Sequence, residues 1–349
     1  MVTDKIVIEN YKSIKKLDLK AKRVNLFIGE PNSGKSNILE ALSFFSPGAL
    51  SDQVDLKKRF RFDRAIDLFY DFEINNNIRI STAPLSLDIS YAQNTNGAIM
   101  NSFKLDLSKR IPTKTISIEK TNKNSKENWE IADSYTLEHD GRLTWNHNHR
   151  GFSTMFRAYE YKYLQKFNTL SFPYLACPYG DNIPSLLLSN SKLRKMVTTF
   201  FLDKGYKMLI EPVTQEVKIA KDVDGTLISY PYSTISETLK RIIFLMLAIE
   251  SNENTAIIID EPESNTFPFY TKYIAERFAL DKKNQFFLTT HNPYLLANII
   301  QKTPATDLNL CVVKMEDYQT KTYPLNNKQV EKVVEFGVDV FFNLDKFTK

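Results

Sequence analysis

Apolar residues form a few nearly continuous runs in this 349-residue chain, and those runs predict its buried strands. One run covers residues 24–28 near the N-terminus, and two more cover residues 256–259 and 286–288 in the C-terminal third. Uninterrupted apolar strands are typical of parallel sheets whose two faces are both covered by other elements. The pattern therefore predicts buried parallel strands that come from both ends of the chain.

Two segments beside these runs have helical patterning. In residues 36–45, apolar side chains share one face at Ile38, Leu39, Leu42 and Phe45. We expect residues 47–48, Pro-Gly, to end that helix. Residues 242–249 are apolar throughout and predict a buried helix. Thr234 and Glu237 have the spacing of a capping box at its start.

The middle of the chain has a different pattern. Polar and apolar residues alternate, as in hairpin strands, at residues 78–81, 86–91, 104–107 and 115–118. Residues 121–130 are polar and predict a loop or hairpin tip, whereas residues 154–165 and 190–202 predict helices. No heptad pattern persists for three repeats, so we expect no long coiled coil. We predict a core of residues 1–50 and 231–349, with residues 51–230 as a β-rich and helical insertion lobe.

Composition narrows the class of protein. The chain has 46 Lys and Arg against 41 Asp and Glu, a net charge of +5 and a pI near 8.8. That balance falls short of the strongly basic signature of a dedicated nucleic-acid binder. Cys177 and Cys311 lie far apart without ligand spacing, so we expect reduced thiols in a cytoplasmic protein. Residues 1–18 do not resemble a signal peptide, and residues 242–249 are too few to span a bilayer, so we expect no membrane partner.

Residues 29–36, Gly-Glu-Pro-Asn-Ser-Gly-Lys-Ser, match the phosphate-loop pattern G-x-x-x-x-G-K-[ST] at every fixed position. The segment lies between a predicted strand and a predicted helix, which is the context that this chemistry needs. Gly29 and Gly34 allow backbone angles that turn N–H groups toward an anion. Lys35 can place a full charge beside the β- and γ-phosphates, and the Ser36 hydroxyl is a ligand for Mg²⁺. The motif predicts binding of a nucleoside triphosphate.

Two carboxylates follow the apolar run at residues 256–259. In phosphate-loop folds, an Asp at the end of such a strand holds Mg²⁺ opposite the Ser36 hydroxyl. A Glu directly after it can orient and deprotonate the attacking water. We therefore predict Ser36 and Asp260 as metal ligands and Glu261 as the general base.

These motifs, with a later apolar strand that ends in histidine, resemble those of ABC-type ATPases. The closest likeness is to the SMC, RecF and OLD branch of the AAA ATPases. Residues 6–14, Ile-Val-Ile-Glu-Asn-Tyr-Lys-Ser-Ile, resemble the strand that opens these heads. Asn25 and Asn37 match the family's consensus sequence around the phosphate loop. Residues 286–294 match the family's switch strand, the strand that ends in histidine. The resemblance covers the two ends of the chain.

The resemblance implies an α/β fold, an ABC-ATPase head with a mostly parallel core sheet and an insertion lobe. It implies ATP and Mg²⁺ as cofactors, and it implies that His291 contacts the γ-phosphate while Glu261 acts as the base. The nucleotide-binding residues that it implies are Gly29, Asn32, Ser33, Gly34, Lys35, Ser36, Asn37 and, from a segment considered next, Ser236.

The sequence departs from the family at the signature motif. ABC ATPases place a Ser-Gly-Gly segment at a helix start, where it caps the γ-phosphate of the opposing subunit. Residues 233–241, Ser-Thr-Ile-Ser-Glu-Thr-Leu-Lys-Arg, occupy the expected place without the paired glycines. Ser236 and the free N–H groups of that helix start could face a phosphate in a second subunit. Alternatively, the segment is a helix cap without a catalytic role.

Two smaller clusters have weaker interpretations. Residues 57–64 interleave basic and aromatic side chains, which suits contact with a nucleic-acid backbone. We favour a solvated face with two buried phenylalanines. His147 and His149 have the spacing of a metal pair, but no third ligand lies nearby and an exposed turn is the favoured interpretation.

We interpret the chain as an ATP-binding switch that hydrolyses ATP slowly and assembles as a homodimer or higher oligomer around nucleotide. OLD-type nucleases continue into a TOPRIM domain after the switch strand, whereas here residues 328–349 predict a helical tail with Phe341 and Phe342 available for packing. We therefore expect a separate effector, a TOPRIM-type nuclease or another toxin. A role in anti-phage defence or DNA maintenance is analogy with the family. The alternatives are a RecF-like repair ATPase that binds DNA, and an ATP-dependent scaffold with little turnover.

Overall fold

The computed structural model of the protein describes residues 1–50, 55–92, 102–110, 129–146 and 155–348. The strands in chain order are β1 Lys5–Tyr11, β2 Ile14–Lys20, β3 Val24–Gly29, β4 Ile78–Thr82, β5 Leu85–Ala92, β6 Ser102–Arg110, β7 Trp129–Glu138, β8 Leu143–Asn146, β9 Phe156–Tyr159, β10 Lys207–Glu211, β11 Glu216–Val223, β12 Thr226–Pro231, β13 Ala256–Ile259, β14 Gln285–Thr289, β15 Leu308–Glu316 and β16 Gln319–Pro324. The α-helices are α1 Lys35–Ser43, α2 Leu56–Arg59, α3 Ile183–Ser189, α4 Ser191–Leu202, α5 Glu237–Glu250, α6 Pro268–Leu280, α7 Pro293–Lys302 and α8 Asn327–Phe336.

A six-stranded sheet forms the core, in the order β16-β15-β3-β14-β13-β9. Its strands run parallel except for β16, which pairs antiparallel with β15. Every residue of β3, β13 and β14 is buried, as their continuous apolar sequences require. The prediction of an α/β fold with a mostly parallel core sheet is confirmed.

Alternate residues of these central strands face two different hydrophobic clusters. Phe27, Ile258 and Phe287 pack on one face, in a cluster with α1 and the antiparallel strands. Ile257 and Leu288 pack on the other face, in a cluster with the helices α3 to α8. The sheet therefore separates two cores and is covered on both sides.

A seven-stranded antiparallel sheet, in the order β2-β1-β4-β5-β6-β7-β8, covers one face of this core. Strands β4, β5 and β6 contain the predicted hairpin strands at 78–81, 86–91 and 104–107, which are confirmed. The predicted strand at 115–118, most of the loop at 121–130 and the pair His147 and His149 lie outside the described residues. A third sheet, β10-β11-β12, ends in a strand whose residues are all exposed.

Two local predictions are wrong. Residues 154–165 were expected to be helical, but residues 156–159 form β9, which pairs in register with β13. The sheet edge that β9 completes overrides the local helical pattern. Thr234 does not cap α5: it belongs to a short 3₁₀ helix, Tyr232–Thr234, and Ser236 is the N-cap. The predicted helix at 190–202 is confirmed as α4.

The sheets cross both of the proposed domain boundaries. Strand β1, from the first 50 residues, pairs with β4 from the segment 51–230. Strand β9 of the same segment pairs with β13 in the core sheet. The division into core and insertion lobe stays a prediction. In the described part of the chain, no helix is both long and apolar enough to cross a membrane.

Candidate functional site

The site lies where the carboxyl ends of three neighbouring strands meet. Because β3, β14 and β13 are adjacent and parallel, the segments that follow them emerge at one edge of the sheet. The phosphate loop, residues 29–36, follows β3; Thr290 and His291 follow β14; Asp260 and Glu261 follow β13. The fold thus brings together motifs that lie more than 220 residues apart in sequence.

The two fixed glycines of the phosphate loop have no room for a side chain. A Cβ on Gly29 would lie 2.2 Å from the carbonyl oxygen of Val313 in β15. Gly34 has a φ of +94°, and a Cβ there would lie 1.9 Å from Thr320 Oγ1. Close packing and the left-handed conformation at Gly34 therefore account for both glycines.

The phosphate loop is supported by a cluster of polar contacts that the sequence did not predict. Thr320, at the start of β16, donates to the carbonyl oxygen of Ser33 at 3.1 Å. The hydroxyls of Thr320 and Ser13 are 2.7 Å apart, and Asn37 Nδ2 donates to Ser13 Oγ at 2.8 Å. Ser33 is buried and Asn32 is exposed with a φ of 60°. Ser33 and Asn32 of the phosphate loop and Asn37 were predicted from the sequence, whereas the contact of Thr320 with the loop was not.

The side chain of Lys35 is hydrogen-bonded to its own phosphate loop. Its Nζ donates to the carbonyl oxygens of Gly29 and Glu30 at 3.1 and 2.7 Å and to Ser33 Oγ at 3.3 Å. Burial lowers its pKa, although the carboxylates of Asp260 and Glu261 act in the opposite direction. The lysine is thus near both acidic residues, and it has hydrogen-bond partners that a bound phosphate would replace.

Thr289 organises the acidic strand end. Its hydroxyl donates to Asp260 Oδ1 and accepts from the backbone N–H of Glu261 at 3.0 Å. Glu261 has a φ of 44°, in the left-handed region that non-glycine residues rarely adopt. Ser264 Oγ donates to Glu261 Oε2 at 3.1 Å. These contacts hold both acidic residues at the strand end, where they line one cavity with Ser36.

His291 lies beside the carboxylate of Glu261. The distance from its Nε2 to Glu261 Oε1 is 3.4 Å. Partial burial and the charge of Lys35 lower the pKa of His291, against the opposing effects of Glu261 and Asp260. The imidazole is therefore neutral at neutral pH and has one N–H to donate.

A cavity of about 340 Å³ opens beside the loop. It is lined by Ser36, Asp260 and Glu261 from the predicted site, and also by the guanidinium-bearing Arg59 and Arg61. The Ser36 hydroxyl and the Asp260 carboxylate are hard oxygen donors, which Mg²⁺ prefers, and Mg²⁺ commonly keeps waters at its other positions. The residues therefore fit this ion. No group of three His, Cys, Asp or Glu residues forms a metal site in the described ranges.

The basic and aromatic segment at 57–64 is partly buried. Phe60 and Phe62 are 1% and 7% exposed, which confirms the favoured interpretation of two buried phenylalanines. Arg61 extends to Glu40 of α1 at 2.9 Å, and Lys12 pairs with the same carboxylate at 2.8 Å. This three-residue ion network next to the cavity was not predicted from the sequence.

Ser236 makes none of the described hydrogen bonds to the strand ends. Its side chain caps α5 by accepting from the backbone N–H of Leu239 at 3.4 Å. Thr238, in the first turn of α5, donates to the carbonyl oxygen of Asn265 at 3.2 Å, so the helix start contacts the loop after Glu261. These contacts place Ser236 at an exposed helix start, and its role toward a second subunit stays a prediction.

Parts of the chain are similar to known proteins. Residues 1–155 match the AAA ATPase domain family. The DNA replication and repair protein RecF of Rickettsia bellii (strain OSU 85-389) is 50% identical over 44 residues, which are 12% of this chain and 12% of that protein. RecF of Rickettsia canadensis (strain McKiel) matches with the same identity and coverage. The similarity thus spans about an eighth of these relatives' length.

The fold resembles that of an SMC head. The crystal structure of the SMC head bound to the C-winged helix domain of ScpA aligns with a TM-score of 0.53 and 16% identity, over 95% of this chain and all of the other. The SMC head domain from Thermotoga maritima aligns with a TM-score of 0.42 and 15% identity, over 93% of this chain and all of that one. Residues 1–155 therefore match an AAA ATPase domain, and the chain as a whole has an SMC-type head fold, in agreement with the predicted ABC-like architecture.

Proposed function

We propose that the chain binds ATP with Mg²⁺ at the strand ends of β3, β14 and β13 and hydrolyses ATP slowly. One observation carries the proposal: the phosphate loop, Asp260, Glu261 and His291 are adjacent at one edge of the core sheet. Glycines without room for side chains, a buried lysine and oriented carboxylates are the components that phosphoryl transfer requires.

Each residue has a role that follows from its position. Backbone N–H groups of the loop and Lys35 Nζ bind the β- and γ-phosphates. Glu261 accepts a proton from water as the water oxygen bonds to the γ-phosphorus, and the bond to the β-phosphate oxygen breaks to release ADP. His291 donates its N–H toward the γ-phosphate. Mg²⁺, held by Ser36 and Asp260, would neutralise phosphate charge during this step.

The described arrangement supports slow turnover. Lys35 is bonded to carbonyl oxygens of its own loop, so these hydrogen bonds must break when a phosphate binds. Glu261 is held by Ser264 and by its contact with His291, so its carboxylate must be released to activate water. Slow hydrolysis suits a switch whose ATP-bound state persists.

We extend the proposal to assembly and output by analogy with related heads. The ATP-bound chain forms a homodimer or higher oligomer in the cytoplasm, with the Ser236 segment facing the partner's nucleotide. It then controls a separate effector, a TOPRIM-type nuclease or another toxin, in anti-phage defence or DNA maintenance. The tail around Phe342, which is 88% exposed, is the docking surface proposed for that effector.

A phosphate-release assay tests the proposal directly. We expect the purified chain to release phosphate from ATP in the presence of Mg²⁺ and to stop when EDTA removes the ion. Bound ATP without phosphate release would favour the scaffold alternative. Failure to bind ATP at all would refute both.

A second candidate function is DNA binding in repair, because the segment shared with RecF is 50% identical. Its test is the affinity for double-stranded DNA at two salt concentrations. A repair ATPase that contacts several phosphates should lose roughly a thousandfold in affinity between 50 and 200 mM salt. Absence of DNA binding at the lower concentration, with ATP present, would exclude this candidate.

A further inference from the structure

Glu263 is a buried carboxylate that no step of the proposed mechanism uses. It is 7% exposed and lies two residues after Glu261. Its Oε2 is buried and has no hydrogen-bond partner among the described residues. A buried charge or an unpaired polar atom costs free energy, so this residue requires an explanation.

The other carboxylate oxygen of Glu263, Oε1, holds the segment that carries His291. Oε1 accepts a hydrogen bond from the Thr290 hydroxyl and another from the backbone N–H of His291, the latter at 3.3 Å. Thr290 is fully buried at 0% exposure. The carboxylate therefore anchors the backbone at the exact residue whose side chain contacts Glu261.

Two consecutive threonines connect the two strand ends. Thr289 bonds to Asp260 and to the backbone of Glu261, and Thr290 bonds to Glu263. The first contact positions the acidic residues, and the second positions the loop that leads into His291. Together with the bond from the His291 backbone N–H, the second contact ties the segment after Thr289 to the Glu263 carboxylate.

We propose that Glu263 is a positioning residue that sets the distance between Glu261 and His291 by anchoring the backbone of His291. The inference rests on the proposed hydrolysis of ATP at this site, and it adds a residue that determines the geometry of the site. Glu263 touches neither the phosphate loop nor the metal ligands in the hydrogen bonds described, so its loss should lower the rate of turnover much more than the affinity for ATP.

Kinetics of two substitutions test this. Glu263→Ala removes the acceptor, and kcat should fall about tenfold or more, since small displacements of catalytic groups are costly. KM and the Kd for ATP should stay within about threefold. Glu263→Gln keeps a side-chain oxygen that can accept both bonds, so kcat should recover to within about threefold of wild type.

Asn182→Ala is the matched control for a merely structural loss. Asn182 is also buried, and it bonds to the backbone of Ala176 and Tyr174 at 2.7 and 2.9 Å, in a loop before α3. We expect this variant to lose thermal stability while keeping its kcat. All variants are assayed below the lowest unfolding midpoint, so that kcat refers to folded protein.

Hydrogen exchange in the nucleotide-free protein tests the anchor without turnover. Peptides covering residues 289–294 should exchange faster in Glu263→Ala than in wild type or Glu263→Gln, while peptides covering residues 29–37 should not change. If the wild-type protein hydrolyses no ATP, the proposed function fails. The exchange measurement still shows whether Glu263 holds the backbone of His291 in place. An unchanged exchange rate at 289–294, a wild-type kcat in Glu263→Ala, or a Gln variant as slow as the Ala variant would each overturn the inference.

Discussion

The starts of helices α1 and α5 are both candidates to face a phosphate, and they are built in opposite ways. Helix α1 begins at Gly34, which has no side chain to cap the helix, and no acidic residue lies in its first turn. Helix α5 begins at Ser236, whose side chain accepts from Leu239, and Glu237 lies in its first turn. The first leaves its N–H groups available to an anion, whereas the second satisfies one of them internally.

The negative charge of Glu237 makes the start of α5 still less favourable for a phosphate than the start of α1. Although partial burial opposes it, hydrogen bonds from Tyr161 and Lys240 lower the pKa of Glu237, so this carboxylate is ionised at neutral pH. Its oxygen lies 2.7 Å from Tyr161 Oη and 3.0 Å from Lys240 Nζ. A phosphate from a second subunit would approach that negative charge. The contrast supports α1 as the stronger of the two proposed phosphate sites and α5 as the weaker.

Lys35→Ala should have the largest effect, because it removes the full charge at the strong site. Charge-assisted hydrogen bonds contribute about 1.5–3 kcal/mol each, so ATP affinity should fall roughly a hundredfold or more. Titration with a fluorescent ATP analogue measures this. Lys302→Ala, at an exposed position of α7, is the control and should bind normally. Equal affinity in both variants would remove Lys35 from the phosphate site.

Glu261→Gln should separate binding from chemistry. The amide keeps the shape of the side chain but cannot accept a proton, so turnover should fall roughly a hundredfold while ATP still binds. Phosphate release and analogue binding measure the two quantities. Glu253→Gln, at an exposed position before β13, should leave both unchanged. Wild-type turnover in Glu261→Gln would exclude Glu261 as the base.

Sedimentation tests whether the start of α5 contributes to ATP-dependent assembly. The Glu261→Gln protein should sediment as a larger species with ATP than with ADP, since the retained γ-phosphate favours the closed state. If that phosphate meets the α5 start, adding Glu237→Gln should tighten association about two- to fivefold, because a charge at a helix N-terminus is worth about 0.3–1 kcal/mol. Identical sedimentation with ATP, ADP and no nucleotide would leave α5 as a structural helix.

Ser236→Ala should have the smallest effect. Loss of an N-cap costs about 0.5–2 kcal/mol, and the 3.4 Å distance to Leu239 places this cap toward the lower value. Urea unfolding measures the change in the free energy of unfolding. Ser236→Gly should cost less than Ser236→Ala, because glycine is tolerated at N-caps. A loss of ATP-dependent assembly with unchanged stability would instead assign Ser236 to the partner's nucleotide.

Local rules were enough to predict the elements that form the candidate site. The phosphate loop, the strands β3, β13 and β14 and the acidic strand end each depend on a short contiguous sequence, such as the apolar run before Asp260. Strand β9 was missed because its sequence, Phe-Arg-Ala-Tyr, is not a continuous apolar run and its structure depends on pairing with β13. The support that Thr320 gives Ser33 was also missed, because the two residues are 287 positions apart. Contacts of this kind have no signature in one sequence.

The position of β3 between β14 and β15 has a consequence for synthesis of the chain. The phosphate-loop strand leaves the ribosome early, but both of its sheet neighbours follow more than 250 residues later. Until then β3 has two unpaired edges, and the carbonyl oxygen of Val313 that packs against Gly29 does not yet exist. Nascent chains therefore cannot form the proposed nucleotide site, and ATP bound at that site would stabilise only molecules whose translation has passed β15.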